Sequence, residues 1–281
     1  CCCFSYNGAW TKAFSSAECF MTGGHGILSN RKKHVTFWAM GDLHLSIGLE
    51  KSKQKPMECF GKQWTQHTAK IARRWCERVQ KDDVVLLLGD IFWGNRVEEA
   101  QFALNWLGCL PGRKVMIRGN HDNWWQSISK VREALPAGMY AIQNDCVVLD
   151  GVAIAGARGW TFADPEGEAH QEKMLRREYA RLEASLSQMP TDAHYRIAMM
   201  HYPPFIGKNL SPVVSELLAS YGVNYCVFGH LHGEEAAQFQ SIEKNNIKYA
   251  LASADNVDFS PLEIYNYQYN HDLTGNDCEW R

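Results

Sequence analysis

Short apolar runs alternate with longer amphipathic segments through the first half of the chain. The runs Val35–Met40, Val84–Leu88 and Lys114–Arg118 predict strands, and a Gly-Asp pair directly follows the first two. Apolar residues recur at helical spacing from Trp64 to Val79, and a second helix is predicted over Ala100–Leu107. Strand, loop and helix in repetition indicate βαβ units and a largely parallel sheet.

The second half of the chain is richer in strands. Asp150 and Gly151 separate two apolar runs and predict a hairpin turn. The predicted elements are the strands Cys146–Leu149, Val152–Ala157, Arg196–Met200, Tyr225–Phe228, Ile247–Ser253 and Leu262–Tyr265, and the helices Glu168–Met189 and Val213–Tyr221. Because no repeat, linker or abrupt change of composition interrupts this pattern, we predict one domain over residues 34–267 and a tail over residues 268–281.

The segment before the first predicted strand shows neither a helical nor a strand period. It also lacks a basic stretch followed by an apolar core, so no signal peptide is predicted. We interpret residues 1–33 as a disordered extension or as an artefact of where the reading frame was opened. The predicted fold therefore begins at residue 34.

Composition narrows the class of protein. With 29 basic and 31 acidic side chains the charge is near neutral, which disfavours a protein that mainly coats nucleic acid. No apolar run approaches the roughly 20 residues that a membrane-spanning helix needs. The ten cysteines form no C-x-x-C pair, which favours small buried side chains in a reducing compartment, and the predicted location is the cytoplasm.

Polar side chains suited to metal binding follow five of the predicted strands. In open α/β sheets, ligands gather at the carboxyl ends of the strands. Neighbouring glycines such as Gly41 and Gly89 allow sharp turns and close backbone approach. The candidate metal ligands that these strand ends would bring together are Asp42, His44, Asp90, Asn120, His201, His230 and His232.

The residue types indicate which metal ions to expect. Carboxylate, amide and imidazole groups together favour manganese, iron, zinc or cobalt over calcium, which prefers oxygen ligands alone. Seven candidate ligands are too many for one ion, so we predict two divalent or trivalent ions, with manganese favoured and Asp90 able to bridge them. Two ions about 3.5–4 Å apart would lower the pKa of a shared water and clamp the attacking and leaving oxygens.

Four motifs in this order resemble the signature of the calcineurin-like metallophosphoesterases. They are Gly41-Asp42-Leu43-His44, Gly89-Asp90, Gly119-Asn120-His121-Asp122 and Gly229-His230-Leu231-His232, with His201 before the last of them. The resemblance implies an α/β fold, a four-layer α/β/β/α sandwich of two mixed sheets flanked by helices. It also implies hydrolysis of a phosphate ester by a metal-bound hydroxide.

The resemblance further implies a role for each residue. The first metal ion would be held by Asp42, His44, Asp90 and His232, and the second by Asp90, Asn120, His201 and His230, with Asp90 as the bridge. His121 would lie outside the metal shell and protonate the leaving oxygen or stabilise the phosphoryl oxygens. Asp122 would orient the His121 imidazole.

Two segments bear on the substrate. The residues Ile91–Trp93 after Asp90 are apolar where protein phosphatases of the family often carry a second acidic residue, which argues against a protein phosphatase. The segment Gly156–Trp160 is similar to one in poorly characterised bacterial members of the family, and it indicates a bacterial source. Within it, Arg158 could pair with a substrate phosphoryl group or form a structural salt bridge.

Three functions follow from these observations. The leading hypothesis is a metal-dependent hydrolase that acts on a phosphate mono- or diester of a small molecule. A nuclease is the first alternative, which the near-neutral charge disfavours. The second alternative is a catalytically silent scaffold that binds a protein. Such scaffolds tend to lose metal ligands or the rim histidine, and this sequence retains both.

Overall fold

The computed structural model describes residues 32–160, 168–206, 208–237, 239 and 241–270. Residues 1–31 and 271–281, which make up most of the predicted extension and tail, lie outside the described residues, and the predicted domain boundaries stay predictions. The strands are β1 (Lys32–Met40), β2 (Val84–Leu87), β3 (Arg113–Met116), β4 (Met139–Ala141), β5 (Cys146–Leu149), β6 (Val152–Ala157), β7 (Tyr195–Met200), β8 (Phe205–Ile206), β9 (Asn209–Leu210), β10 (Tyr225–Phe228), β11 (Ile242–Lys244), β12 (Ile247–Leu251) and β13 (Leu262–Asn270). The α-helices are α1 (His67–Arg78), α2 (Val97–Cys109), α3 (Ile128–Ala134), α4 (Glu168–Leu186), α5 (Pro212–Ser220) and α6 (Gly233–Ala236).

Five strands form the first sheet, in the order β13-β1-β2-β3-β4. Neighbouring strands from β1 to β4 are parallel, whereas β13 is antiparallel to β1. The helices α1, α2 and α3 each lie between two consecutive strands of the parallel part. The predicted βαβ pattern is therefore confirmed.

Six strands form the second sheet, in the order β11-β12-β10-β7-β6-β5. Its central strands β12, β10, β7 and β6 are parallel, and β11 and β5 are antiparallel at the two edges. The turn between β5 and β6 is made by Asp150 and Gly151, whose φ angles are 50° and 74°. Asp and Gly tolerate these angles well, and the predicted hairpin is confirmed.

Apolar side chains on both faces of each sheet create the layers. Phe37 of β1 lies in the core between the sheets together with Ile197 of β7. Met40 belongs to a second core, which also contains Trp75 of α1 on the outer face of the first sheet. Leu182 of α4 belongs to a third core, on the outer face of the second sheet. Helix, sheet, sheet and helix therefore stack as four layers, as the resemblance implied.

The helix predicted around Trp64 starts later than its apolar spacing suggests. Trp64 ends a short 3-10 turn (Lys62–Trp64), and α1 begins at His67. Gln66, just before α1, has a left-handed backbone with φ of 54°, which interrupts an α-helix. Trp64 is 2% exposed and shares a core with Trp75. The spacing therefore correctly indicated a buried face, although the helix itself is shorter.

Short elements and strand ends depart most from prediction. The edge strands β4 and β11 and the helix α3 were not predicted. The strand β13 extends beyond the predicted Leu262–Tyr265 because it pairs with β1 along its whole length, as far as Lys32 opposite Asn270. Such pairing partners are distant in sequence, so periodicity within a short window does not detect them.

The longest helix of the described residues is α4, with 19 residues. It packs on the second sheet through Leu182 and Leu186, and Glu178 on the same helix is also buried. Within the described ranges, no helix combines the length and the apolar character needed to cross a bilayer.

Candidate metal centre

The loops that carry the predicted ligands meet at one rim of the two sheets. Asp42 donates its backbone N–H to the carbonyl of Gly89 at 2.9 Å, which joins the loops after β1 and β2. Gly41 forms a parallel bridge with Ser253, which joins the end of β1 to the loop after β12 in the other sheet. Backbone contacts thus bring strand ends of both sheets together, as expected for ligand loops in α/β proteins.

Four of the predicted ligands have a positive backbone φ angle. The angles are 58° at Asp42, 45° at His44, 50° at Asp90 and 75° at His230. A residue with a Cβ atom pays about 1–3 kcal/mol for this left-handed conformation. Such strain persists only where the surrounding structure fixes it, and it is concentrated at functional sites.

Gly119 leaves the space that the Asp90 loop needs. A Cβ atom on Gly119 would collide with the carboxylate and the backbone nitrogen of Asp90. Gly89 approaches Gly119 from the other loop so closely that a Cβ atom there would overlap the Gly119 backbone. The two motif glycines are therefore required by the close approach of the loops after β2 and β3.

Asp42, His44 and His232 form one group of candidate ligands. One ligand atom from each of the three side chains lies within 4.8 Å of the other two. The His232 Nε2 atom is 3.7 Å from the Asp42 Oδ1 atom. In the described part of the chain this Oδ1 atom is buried and has no hydrogen-bond partner. A buried carboxylate oxygen without a partner is costly unless a cation binds it.

A second group lies next to the first and shares Asp42 with it. Ligand atoms of Asp42, Asp90 and His201 also lie within 4.8 Å of one another. The Asn120 Oδ1 atom is 2.5 Å from His201 Nε2 and 3.1 Å from His230 Nδ1. The structure thus brings all seven predicted ligands into one cluster.

Hydrogen bonds behind the cluster determine which imidazole nitrogen faces it. The His201 Nδ1 atom is 2.9 Å from the Leu88 carbonyl oxygen, which can accept its proton. The His232 Nδ1 atom is 2.7 Å from the Asp255 Oδ1 atom. With their protons on Nδ1, both rings present the Nε2 lone pair to the cluster. A carbonyl or carboxylate behind the ring is the usual arrangement for a metal-binding histidine.

Burial keeps the inner histidines neutral. It holds the pKa values of His44 and His201 well below the usual value and lowers the pKa of His230 to about 4. The neutral His201 ring, with its proton directed at Leu88, presents a lone pair to the Asn120 oxygen. Lone pairs of nitrogen and oxygen that face each other in this way fit a shared cation.

Burial has the opposite effect on the two carboxyl groups. It raises the pKa of Asp42 to about 6, although the His232 charge opposes this shift. Burial raises the pKa of Asp90 to about 9, and the negative charges of Asp122 and Asp42 add to the effect. Two buried carboxylates beside neutral imidazoles need positive charge to stay ionised, and divalent ions would supply it. The donor set therefore fits a metal centre with nitrogen and oxygen ligands.

We expect the metal-free protein to lose stability as the pH rises from about 7 to about 8, because above that range the pKa of Lys114, which burial lowers to about 8, acts in the opposite direction. The folded protein retains the Asp90 proton, because its pKa is raised to about 9, whereas the unfolded chain has already lost it. The unfolded state then binds fewer protons, so the free energy of unfolding falls by up to about 1.4 kcal/mol per pH unit. Below about pH 6.5 the lowered pKa values of the histidines act in the opposite direction. Urea unfolding in the presence of a chelator measures this slope, and a stability that rises over the interval would contradict it.

His121 lies on the exposed side of the cluster. Its backbone N–H donates to the Asp90 Oδ1 atom at 2.7 Å. Its imidazole lies beside Trp93, with 4.7 Å between ring centroids. Trp93 also stacks on His44 at 4.8 Å with 18° between the ring planes. His121 therefore occupies a rim position, and Trp93 contacts both it and a candidate metal ligand.

Asp122 requires a correction to its predicted role. Its buried carboxylate accepts hydrogen bonds from the Trp124 indole and from the backbone N–H groups of Gly119, Asp90, Ile91 and Phe92. These bonds satisfy both carboxylate oxygens and fix the loop that carries Asp90. The expected hydrogen bond to the His121 imidazole is not formed among the described residues, because the carboxylate points to the loop instead.

Arg158 lies beside the cluster. Its carbonyl accepts hydrogen bonds from the backbone N–H groups of His201 and Tyr202 at 3.1 and 2.8 Å. Its guanidinium is 3.7 Å from the Glu178 carboxylate and 5.1 Å from the centroid of the Trp160 ring. Of the two alternatives given for Arg158, the structural salt bridge is present, with Glu178 as the partner. Contact between Arg158 and a substrate stays a prediction.

Asp255 belongs to the site but is absent from the predicted ligands. It follows β12 in the same way as the predicted ligands follow other strands, so the strand-end rule would have found it. Its side chain is 5% exposed and contacts the His232 imidazole. His67 also lies outside the predicted ligands, and its Nε2 atom is 3.3 Å from the His44 carbonyl oxygen. Nothing in the sequence around His67 indicates this contact.

Replacing Asp255 by alanine is expected to weaken the binding of one metal ion by about 10–100-fold, because the His232 ring loses the carboxylate that orients it. Titration with Mn²⁺ followed by calorimetry measures the change. Asp258→Ala is the matched control, since Asp258 is an exposed acid nearby that pairs with Arg74. An equal loss of Mn²⁺ affinity in the two variants would mean that Asp255 affects metal binding only through its negative charge.

The model of a family described as calcineurin-like phosphoesterase matches residues 35–234, which is more than half of the chain. This range contains all seven predicted ligands and His121.

Two phage proteins share part of the sequence. The chain is 38% identical to the gene 66 protein of Mycobacterium phage L5 over 85 residues, and 40% identical to the gene 66 protein of Mycobacterium phage D29 over 87 residues. Each match covers 30% of this chain and 39% of the phage protein. The chain therefore spans about two fifths of the length of these curated relatives.

Two solved structures are similar at low sequence identity. A protein of unknown function from Aquifex aeolicus has a TM-score of 0.44 and 15% identity, over 82% of this chain and 95% of that chain. A protein from Thermus thermophilus has a TM-score of 0.48 and 12% identity, over 85% of this chain and 99% of that chain.

Proposed function

This chain belongs to the calcineurin-like phosphoesterase family, and from this premise we propose that it hydrolyses phosphate mono- or diesters of small molecules with two divalent metal ions, manganese favoured. The observation that supports the proposal most directly is the cluster of seven candidate ligands, whose two metal-sized groups share Asp42. The buried Asp42 Oδ1 atom has no hydrogen-bond partner among the described residues. A complete donor set distinguishes this chain from a scaffold that has lost its ligands.

In this proposal the ligands would divide between two ions in the way the resemblance implies. The first ion would be held by Asp42, His44, Asp90 and His232, and the second by Asp90, Asn120, His201 and His230. Two bound ions would supply a water of lowered pKa and neutralise the charge of the transferred phosphoryl group. The protein contributes a fixed geometry, because carbonyl and carboxylate partners hold the His201 and His232 rings.

His121 is proposed as the catalytic group outside the metal shell. Its ring is exposed at the rim, and its backbone is fixed by the Asp90 carboxylate. Burial lowers the pKa of His121, so the ring is mainly neutral at pH 7. A neutral imidazole can still donate an N–H hydrogen bond to a phosphoryl oxygen, which favours charge stabilisation over proton transfer to the leaving oxygen.

A cavity of about 610 Å³ next to His121 could receive the group that the phosphate carries. Its lining includes His121, Trp93, Asn123 and Lys55. The Lys55 ammonium lies 5.8 Å from the centroid of the Trp93 ring, so a cation and an aromatic face occupy the same wall. This lining suits a polar organic group with a planar part rather than a long apolar chain.

The proposal is tested by hydrolysis of 4-nitrophenyl phosphate and bis(4-nitrophenyl) phosphate with added Mn²⁺, followed by a panel of nucleotides and phosphorylated head groups. Cleavage of at least one ester, abolished by a chelator and restored by Mn²⁺, is expected. No cleavage by protein shown to contain metal would refute the enzymatic proposal and favour a scaffold. Preferred cleavage of DNA or RNA would instead favour the nuclease.

A further inference from the structure

Four arginines line a cavity of about 320 Å³ on the rim beside the metal centre. They are Arg118 in the loop after β3, Arg158 in the loop after β6, and Arg177 and Arg181 on α4. The Arg118 loop continues directly to Asn120, and the Arg158 backbone is hydrogen-bonded to His201. The cavity therefore adjoins the ligands proposed for the second ion.

Among the described residues that line this arginine cavity, Glu178 is the only one with an acidic side chain. Its Oε1 atom is 2.8 Å from Arg181, 3.6 Å from Arg177 and 3.7 Å from Arg158. One carboxylate cannot neutralise four guanidinium groups, so the lining carries a clear excess of positive charge. A purely structural network would be expected to balance its charges more closely.

Two of the arginines also have unused donors. The Nε atoms of Arg118 and Arg158 are buried and have no hydrogen-bond partner in the described part of the chain. The Arg158 side chain is only 17% exposed. Buried donors without partners cost free energy, and an anion in the cavity would satisfy them. Gln143 and Asn144 in the lining offer further polar groups.

We propose that the arginine cavity binds a second anionic group of the substrate, a phosphate or a carboxylate, while the phosphate to be cleaved lies at the metal centre. This inference rests on the proposed function and narrows its substrate class to phosphate esters with two anionic groups. Guanidinium groups suit this task because they bind both anions with paired, directional hydrogen bonds. The competing explanation is that the arginines only attach α4 to the sheet through Glu178.

Binding of inorganic pyrophosphate to the metal-free protein tests the cavity separately from catalysis. Calorimetry on Arg177→Gln is expected to show a Kd about tenfold higher than that of the unmodified protein, which corresponds to about 1.4 kcal/mol. Arg177 is 46% exposed, so its replacement should leave the fold intact. Arg176→Gln is the matched control, because Arg176 is 81% exposed on the same helix and pairs with Glu172 instead. No binding by the unmodified protein, or equal losses in both variants, would overturn the proposal.

Hydrolysis of a nucleoside 3′,5′-bisphosphate and of the matching 5′-monophosphate tests the role in catalysis. The bisphosphate is expected to have the higher kcat/KM, and Arg177→Gln should lower the ratio of the two values by about tenfold through KM. Arg176→Gln should leave the ratio unchanged. An equal loss for both esters would indicate that Arg177 only attaches the helix, which overturns the proposal. If the metal-loaded protein cleaves neither of these esters nor any ester of the panel described above, the proposed function fails, and pyrophosphate binding decides the anion site by itself.

Discussion

Replacing Asp90 by asparagine is expected to lower kcat/KM for a cleaved phosphate ester by at least about 10³-fold, because the lost charge stabilisation is worth several kcal/mol. Asp90 is buried, lies in the second candidate ligand group with Asp42 and His201, and is the proposed bridge between the ions. The amide keeps the size of the side chain but cannot hold two cations with a full negative charge. Metal analysis after gel filtration should show fewer ions than in the unmodified protein.

Urea unfolding of the same variant shows whether Asp90→Asn has lost only its metal site or its folded structure as well. Burial and two neighbouring carboxylates raise the pKa of Asp90, so its ionised form destabilises the metal-free protein. Asp90→Asn should therefore be at least as resistant to urea as the unmodified metal-free protein at pH 8. A variant that retains two metal ions and full activity would exclude Asp90 as the bridge.

Replacing His121 by alanine is expected to lower kcat by about 10²–10⁴-fold while the metal content stays unchanged. The exposed ring lies beside Trp93 and edge-on to His44, with 5.8 Å between the two imidazole centroids, and the backbone N–H donates to the Asp90 carboxylate. The metal ligands should therefore remain in place. Steady-state kinetics together with metal analysis of the same sample measure both quantities.

His194→Ala is the matched control for His121→Ala. His194 is exposed just before β7, at the opposite end of the strand from His201, and its ring stacks on Tyr267. It should change neither kcat nor metal content. If His121 protonates the leaving oxygen, the loss in His121→Ala should be larger for an alkyl ester than for 4-nitrophenyl phosphate, because nitrophenolate leaves without a proton. Loss of metal in His121→Ala would instead place His121 in the metal shell.

The strands that carry the site could be predicted from the sequence because they are buried on both faces. Val84 and Val85 of β2, for example, belong to different cores, and both are fully buried. A continuous apolar run that ends in Gly-Asp therefore indicates both the strand and the point where the chain leaves the sheet. This rule located Asp42 and Asp90, and its repetition over five strands gave the set of ligands.

Features that depend on distant partners could not be predicted in this way. Asp122 satisfies N–H groups of another loop, so its role follows from tertiary structure rather than from its place beside His121. The arginine cavity joins Arg118, Arg158 and α4, which lie far apart in sequence. Asp255 is the exception, because its place after a predicted strand was a signal that the sequence already contained.

The bridge between Gly41 and Ser253 links the two sheets at the rim where the candidate ligands lie. Asp42, Asp90 and Asn120 come from the first sheet, whereas His201, His230 and His232 come from the second. An ion held by both sets would act as a non-covalent cross-link between halves of the sandwich. Each ion would add RT ln(1 + [metal]/Kd) to the free energy of unfolding. The lifetime of the folded chain in a cell would then follow the free metal concentration, so metal starvation would reduce the amount of protein as well as its activity.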